Sequence, residues 1–264
     1  MNNIQRYPTT DPLVKDNKFI GSFWQWIWRE FQNWAAWAYV LEGFGVGFQT
    51  CVYVLKPITW QTTISFIACL FGQTCTIAMA SGGHDYTGHH VASHAINGYL
   101  GAISVIGYCI INFVAGHWFS ILDQLCFFFL IDIPLMLNWR AWGQGKNNKV
   151  KSMDKKKWIY TIIAILCAWV VLYFAGIVLK DTNPIWDSLV LSFGAVASWL
   201  CYRQYSGTYI LWLCENVVNL GLWFTTVNQG LTSASLSMLI MTIFYFSSDV
   251  LGLFHWRPSM NSEN

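Results

Sequence analysis

Apolar residues dominate eight stretches of this chain, near 33–55, 59–80, 94–115, 118–140, 158–179, 185–203, 208–228 and 231–253. Each is long enough to cross a bilayer as an α-helix, which takes roughly 17–25 residues. Polar breaks separate them at Lys56-Pro57, Gly116-His117, Asn183-Pro184 and Ser206-Gly207, and Gly116-His117 is the tightest. Ahead of the first stretch, Phe23-Trp-Gln-Trp-Ile-Trp-Arg-Glu-Phe31 puts Trp24 and Trp28 four apart, which predicts a helix lying at the headgroup level. The seventh stretch stands out because Glu215, Asn216 and Asn219 interrupt it between Trp212 and Trp223. At 3.6 residues per turn, Trp212, Asn216, Asn219 and Trp223 form one stripe, with Glu215 beside it. Polar side chains are costly in lipid, so amides framed by flat aromatics predict a wall that meets a polar, planar ligand.

Composition agrees with this pattern. The 264 residues are 55% hydrophobic and 17% aromatic but only 11% charged, whereas soluble domains carry about a quarter charged residues. The chain therefore reads as an all-α integral membrane protein whose surroundings are a lipid bilayer, and a net charge of +2 gives no reason to expect nucleic acid. The polar start, Met1-Asn-Asn-Ile-Gln-Arg-Tyr-Pro, lacks the basic-then-apolar plan of a cleaved signal. All eight cysteines fall in or beside apolar stretches without a CxxC pair, as small buried hydrophobes do. Eight spans place both termini on one face, and that face receives thirteen of the 15 Lys and Arg. Only Lys56 and Lys180 lie opposite. The positive-inside bias then makes both termini cytoplasmic, with the basic stretch at 142–157 as the main cytoplasmic loop.

The pattern also repeats. Phe127-Phe-Phe-Leu-Ile-Asp-Ile-Pro-Leu-Met-Leu-Asn-Trp139 and Phe244-Tyr-Phe-Ser-Ser-Asp-Val-Leu-Gly-Leu-Phe-His-Trp256 each put Trp seven residues after Asp. Asn112 precedes Asp132 by 20 residues and Asn228 precedes Asp249 by 21, while Trp60 and Trp186 each open a set of three spans. The chain divides accordingly into an N-terminal part with one additional span (1–58), a first triplet (59–142), a basic loop with a linker span (143–183) and a second triplet (184–257). One linker span makes the triplets parallel repeats, and a substrate is expected between them near mid-membrane.

Three runs in order, Ile185-Trp-Asp-Ser188, Arg203-Gln-Tyr205 and Trp212-Leu-Cys-Glu-Asn216, resemble the second half of the PnuC-type nicotinamide riboside transporters. Asp123-Gln124 followed by Phe127-Phe-Phe129 is similar to the third core helix of that family, and the resemblance covers about residues 60 to 256. The chain departs from the family's Asn-x-x-Gly-Trp-x-x-Trp at the end of that helix, where it has Leu137-Asn-Trp-Arg-Ala-Trp142 and about one extra turn. The resemblance implies eight transmembrane helices arranged as one N-terminal helix plus a 3+1+3, SWEET-like core in a bacterial cytoplasmic membrane. It implies import of the intact nucleoside by facilitated diffusion, kept downhill by phosphorylation inside the cell, with no cofactor and no enzymatic activity. Oligomeric state is left open, a homo-oligomer included.

Nicotinamide riboside combines a cationic pyridinium, a carboxamide and a ribose. The apolar stretches hold Glu42, Asp123, Asp132, Glu215 and Asp249 but no Lys or Arg in their interiors, a field that suits a cation and repels a phosphate. The candidate binding residues are Trp212 and Trp223 for stacking, and Asn216, Asn219 and Gln124 for hydrogen bonds. Phe128, one turn from Gln124, joins them with the acids Glu215 and Asp132. Asp187 caps its own helix start or attracts a cation at the outer mouth. Two other readings stand beside this one. A carrier for another small vitamin or sugar, such as a thiamine-like cation or a neutral sugar, would keep the same fold. A His-rich membrane metalloenzyme would use His84-Asp-Tyr-Thr-Gly-His-His-Val-Ala-Ser-His94, where His90 and His94 are four apart. The remaining His117 and His255 are isolated in sequence, which favours a polar cytoplasmic turn there instead.

Overall fold

The structure, a computed structural model, describes residues 14–15, 18–82, 93–138 and 150–255. A two-residue antiparallel ribbon (β1, Val14–Lys15; β2, Lys18–Phe19) leads into α1 (Phe23–Glu30). Ser22 and Gln25 close a reciprocal capping box on α1, and Trp24 and Trp28 project outward while Trp26 is buried. The exposed pair is the one whose four-residue spacing predicts a helix at the headgroup level. Eight helical spans follow, each long and apolar enough to cross a membrane. They are α2 (Ala36–Leu55), α3 (Trp60–Ala80), α4 (Ile96–Ala115), a composite of α5 (Trp118–Phe127) and α6 (Ile133–Leu137), α7 (Lys155–Leu179), α8 (Pro184–Tyr202), α9 (Thr208–Gln229) and α10 (Ser235–His255). Their limits fall within a few residues of the apolar stretches.

Between α5 and α6 the chain makes one wide π-turn, Phe128–Asp132, in which the Ile133 N–H reaches back five residues to the Phe128 carbonyl. Pro134 follows and has no N–H to continue the ladder.

α3 packs on α4, and α9 lies between α8 and α10. Across the middle, α3 meets α10 and α5 meets α8. α2 seals the outside of the α3–α10 seam. α7 touches α8 and otherwise presents its apolar side chains outward, as a lipid-facing linker must. Thr59 caps α3 and Asp154 caps α7. On the face where α3 ends, the chain after the loop docks on the turn before α9, with Lys151 N–H donating to the Gln204 carbonyl and Ser206 N–H to the Lys151 carbonyl. Lys157 lies over the Tyr205 ring at 5.0 Å. The basic stretch is thus anchored where it enters α7. Residues 139–149, and the histidines at 84, 89 and 90, lie outside the described residues.

The opposite face is fastened by buried polar groups. Asp187, in the first turn of α8, caps the start of a neighbouring helix, α5. Its carboxylate accepts from Phe119 N at 2.6 Å, Ser120 N at 2.9 Å and the Ser120 hydroxyl. Asp181 accepts from Trp118 N at 3.1 Å and Asn183 N at 2.8 Å. His117, in the left-handed turn made by Gly116, bonds Thr226 on α9 at 2.8 Å and Thr182 at 3.1 Å. Helix starts leave N–H groups unsatisfied, and at this depth the aspartates supply the acceptors that water would otherwise provide.

Among the described residues, ligand-capable atoms of His117, Asp181 and Asp187 lie within 4.8 Å of one another. Their ring nitrogens and carboxylate oxygens are committed to the hydrogen bonds above, so the group is a clamp between α5, α8 and α9. Removing its centre, Asp187→Ala, should lower stability by about 3 kcal/mol in detergent denaturation, and an unchanged unfolding midpoint would refute the clamp. Burial holds the His117 imidazole down at about 4 against an ordinary 6.5, despite the opposing pull of Asp181. The folded state therefore keeps His117 neutral, and its contribution to stability is full above about pH 6.5 and lost as pH falls toward 4. Denaturation midpoints should drop between about pH 7 and pH 5, and less steeply in His117→Gln. Parallel profiles for the two proteins would show that another group controls the acid limb.

Candidate functional site

Helices α3, α4, α5, α8, α9 and α10 enclose a central chamber holding about 720 Å³ of space, its mouth included. α9 contributes Tyr209, Trp212, Glu215, Asn216 and Asn219, the polar stripe seen in the sequence. α5 adds Asp123, Gln124 and Phe127; α10 adds Tyr245 and Asp249; and α3, α4 and α8 add small or hydroxyl side chains such as Thr76, Ser104 and Ser198. Trp212 is buried, its ring 6.1 Å from Phe127 and 5.2 Å from Tyr209, the latter edge-on at 86°. The amides are tied to acids. Asn216 Nδ2 donates to Asp249 at 2.6 Å, Asn219 Nδ2 lies 3.4 Å from Glu215, and Gln124 Nε2 lies 3.5 Å from Asp123. Among the described residues no Lys or Arg lines the chamber.

A second, smaller cavity of about 380 Å³ lies toward the His117 face, lined by Asn112, Ser120, Trp223 and Met238. Tyr108, Gln124, Asn219 and Tyr245 line both spaces, and the Tyr108 and Tyr245 hydroxyls meet at 2.5 Å between them. Toward the other face, a third cavity of about 740 Å³ runs among Asn97, Ile131, Pro134 and Cys201 and shares Met79 with the central chamber. The central chamber thus adjoins the second cavity at the tyrosine pair and the third at Met79.

The sequence-predicted residues divide among these spaces. Trp212, Asn216, Asn219, Glu215 and Gln124 come together around the central chamber. Trp223 lies in the second cavity, with His117 edge-on to its ring at 5.4 Å. Phe128 does not line either chamber. It begins the π-turn and packs against Phe129, and Phe127 faces Trp212 in its place. Asp132 is fully buried away from both chambers, against Gly101 of α4, where a Cβ would overlap its carboxyl. The π-turn re-aims this segment, which 3.6-residue periodicity does not anticipate. Tyr108, Tyr245 and Tyr209 were missed because a tyrosine in an apolar span carries no local sign of whether its hydroxyl meets a partner, lipid or a cavity. Asp187 caps α5, not its own helix, and His94 is a buried side chain bonded to the Gly82 carbonyl at 3.1 Å.

A family profile described as "Nicotinamide mononucleotide transporter" matches residues 62–258. The chain belongs to this family. Its members are transporters, not enzymes, which removes the metalloenzyme reading. The match begins two residues into α3, so α1 and α2 precede it. Among solved structures the chain is similar to the vitamin B3 transporter PnuC, with a TM-score of 0.70 at 21% identity over 89% of this chain and 97% of that one. No match to this chain was found among curated proteins.

Proposed function

We propose that this chain carries nicotinamide riboside across a bacterial cytoplasmic membrane through the central chamber. The observation that carries the reading is the chamber's chemistry: Asp123, Glu215 and Asp249, three amides and the Trp212–Phe127 pair converge with no basic side chain among them. A pyridinium cation gains from the acids and from the aromatic faces, and the amides match a carboxamide and ribose hydroxyls. The family description names the mononucleotide, but its phosphate would enter this chamber against three carboxyls with no Arg or Lys to receive it. The unphosphorylated riboside is therefore the better fit, and the similar PnuC structure is that of a vitamin B3 transporter.

A 3+1+3, SWEET-like parallel duplication is part of the same proposal. The first helix of each triplet packs on the third helix of the other, α3 on α10 and α8 on α5. The in-register aspartates Asp132 and Asp249 each face the middle helix of their own triplet, at Gly101 and Asn216. Two halves related in this way can rock about a chamber on their seam. The thirteen-to-two distribution of Lys and Arg supports cytoplasmic termini, which orients the third cavity inward and Trp223 outward. Flow is downhill and is maintained by phosphorylation of the imported riboside.

Proteoliposomes bearing the protein should take up radiolabelled riboside and discriminate against the mononucleotide, thiamine and neutral sugars. Equal uptake of the mononucleotide, or preference for another member of that panel, would reassign the substrate. Asn216→Ala should weaken riboside binding roughly tenfold or more, the ~1.4 kcal/mol scale of a buried amide contact, with expression intact. An unchanged calorimetric affinity would move the site away from α9.

A further inference from the structure

Lys151, ahead of α7, and Lys157, in its first turn, hold their ammonium groups over one ring, that of Tyr205, at 5.6 and 5.0 Å. Lys151 Nζ also donates to the Arg203 carbonyl at 3.2 Å, and the Arg203 guanidinium lies 5.8 Å from the Trp199 ring. Lys155 and Lys156 extend the patch along the same turn of α7. All five cations are exposed. Among the described residues only Lys157 has a carboxylate partner, Asp154 at 3.5 Å, and Asp154 is also engaged in capping α7. Selection of membrane topology requires cations on one face, but not that they be seated against one another on aromatic rings. Like charges gathered in this way repel, and aromatic seats at an exposed surface offset little of that repulsion. The patch also stands at a defined depth. The apolar run of α7 starts at Trp158, directly after Lys157, and that of α8 ends at Tyr202, directly before Arg203. α7 packs on α8, so the two helices carry their cations together at headgroup level. Just inside, Tyr160 on α7 and Trp199 and Tyr202 on α8 are exposed, amphipathic rings of the kind that sit between headgroups and chains.

We propose that this patch binds the headgroup of an anionic phospholipid, one with two phosphates in preference to one, with the acyl chains lying along α7 and α8. Lys151, Lys157 and Arg203 form its centre. Their contacts to Tyr205, Trp199 and the Arg203 carbonyl already hold them in place, so little side-chain freedom is lost on binding. Lys151 Nζ has placed one of its three donors, and phosphodiester oxygens accept the others. Lys155 and Lys156 strengthen the positive field around that centre. Five cations beside the one acid Asp154 exceed what a single phosphodiester neutralises, which is why a two-phosphate headgroup fits best. A zwitterionic headgroup brings an ammonium of its own and loses the attraction. The lipid acts as a clasp. The Lys151 backbone is bonded to Gln204 and Ser206 in the turn before α9, so a headgroup bound here fastens the start of α7 to the helix that carries Trp212. The inference concerns the lipid-facing surface and is independent of which substrate the chamber takes.

Native mass spectrometry of the full chain in detergent, titrated with diphosphatidylglycerol, phosphatidylglycerol and phosphatidylcholine, tests it. The two-phosphate lipid should bind most tightly and phosphatidylcholine roughly tenfold or more weaker, with phosphatidylglycerol between them. Combining Lys151→Gln, Lys157→Gln and Arg203→Gln should weaken binding about a hundredfold, on a scale of about fivefold per basic residue at a membrane surface. Lys155→Gln alone, on an exposed side chain, should cost about fivefold, and it carries the test if the triple variant does not fold. Lys56→Gln, on the opposite face, should leave the affinity unchanged. Equal binding of phosphatidylcholine would overturn the proposal, as would unchanged affinity in the patch variants or an equal loss in Lys56→Gln. Equally tight binding of soluble glycerophosphoglycerol would also overturn it, by assigning the patch to a free phosphodiester and not to a lipid.

Discussion

Inside a bilayer no water is available to satisfy a polar group, and that constraint bears on the carboxyls, amides and helix starts at the two polar centres of this bundle. The protein meets it in two ways. On one face, Asp181 and Asp187 take up the N–H groups at the start of α5, and His117 ties the same corner to Thr226 on α9. In the middle, acids and amides from α5, α9 and α10 turn toward a shared chamber. The first arrangement is closed, since its donors and acceptors are matched within the protein. The second faces an open space, with Asp123 Oδ1 unpartnered beside it.

The two are mechanically connected. α5 begins in the His117–Asp187 clamp and, about two turns later, presents Asp123 and Gln124 to the chamber. α8 begins in the same clamp and brings Gly194, which has no side chain, against both Asp123 and Glu215. A rigid corner at one membrane face therefore fixes how closely the two carboxyls approach. The tyrosine pair bridges α4 and α10 at the boundary between the central and second cavities.

Substrate choice follows from the same accounting. Flat aromatics and amides accept many planar ligands, but three acids without a base set the sign of the charge that can enter. The phosphate of a mononucleotide has no counter-charge in the chamber, whereas the pyridinium ring of the riboside meets one.

The sequence by itself determined the eight spans, the surface helix at Phe23–Glu30 and the polar stripe on α9. These depend on hydrophobic length and on 3.6-residue periodicity, which are local properties of the chain. The Gln124 it singled out lines the central chamber. The sequence did not determine the opposite wall. Phe127 and not Phe128 meets Trp212, and Asp132 turns to Gly101, because a π-turn shifts the register of that helix by an amount no periodic pattern contains. The tyrosine pair and the Asp123–Glu215 approach each join residues about 90 or more positions apart. Contacts of that kind are decided by how helices pack, so only the tertiary structure could decide which buried polar groups are matched and which are left facing the chamber.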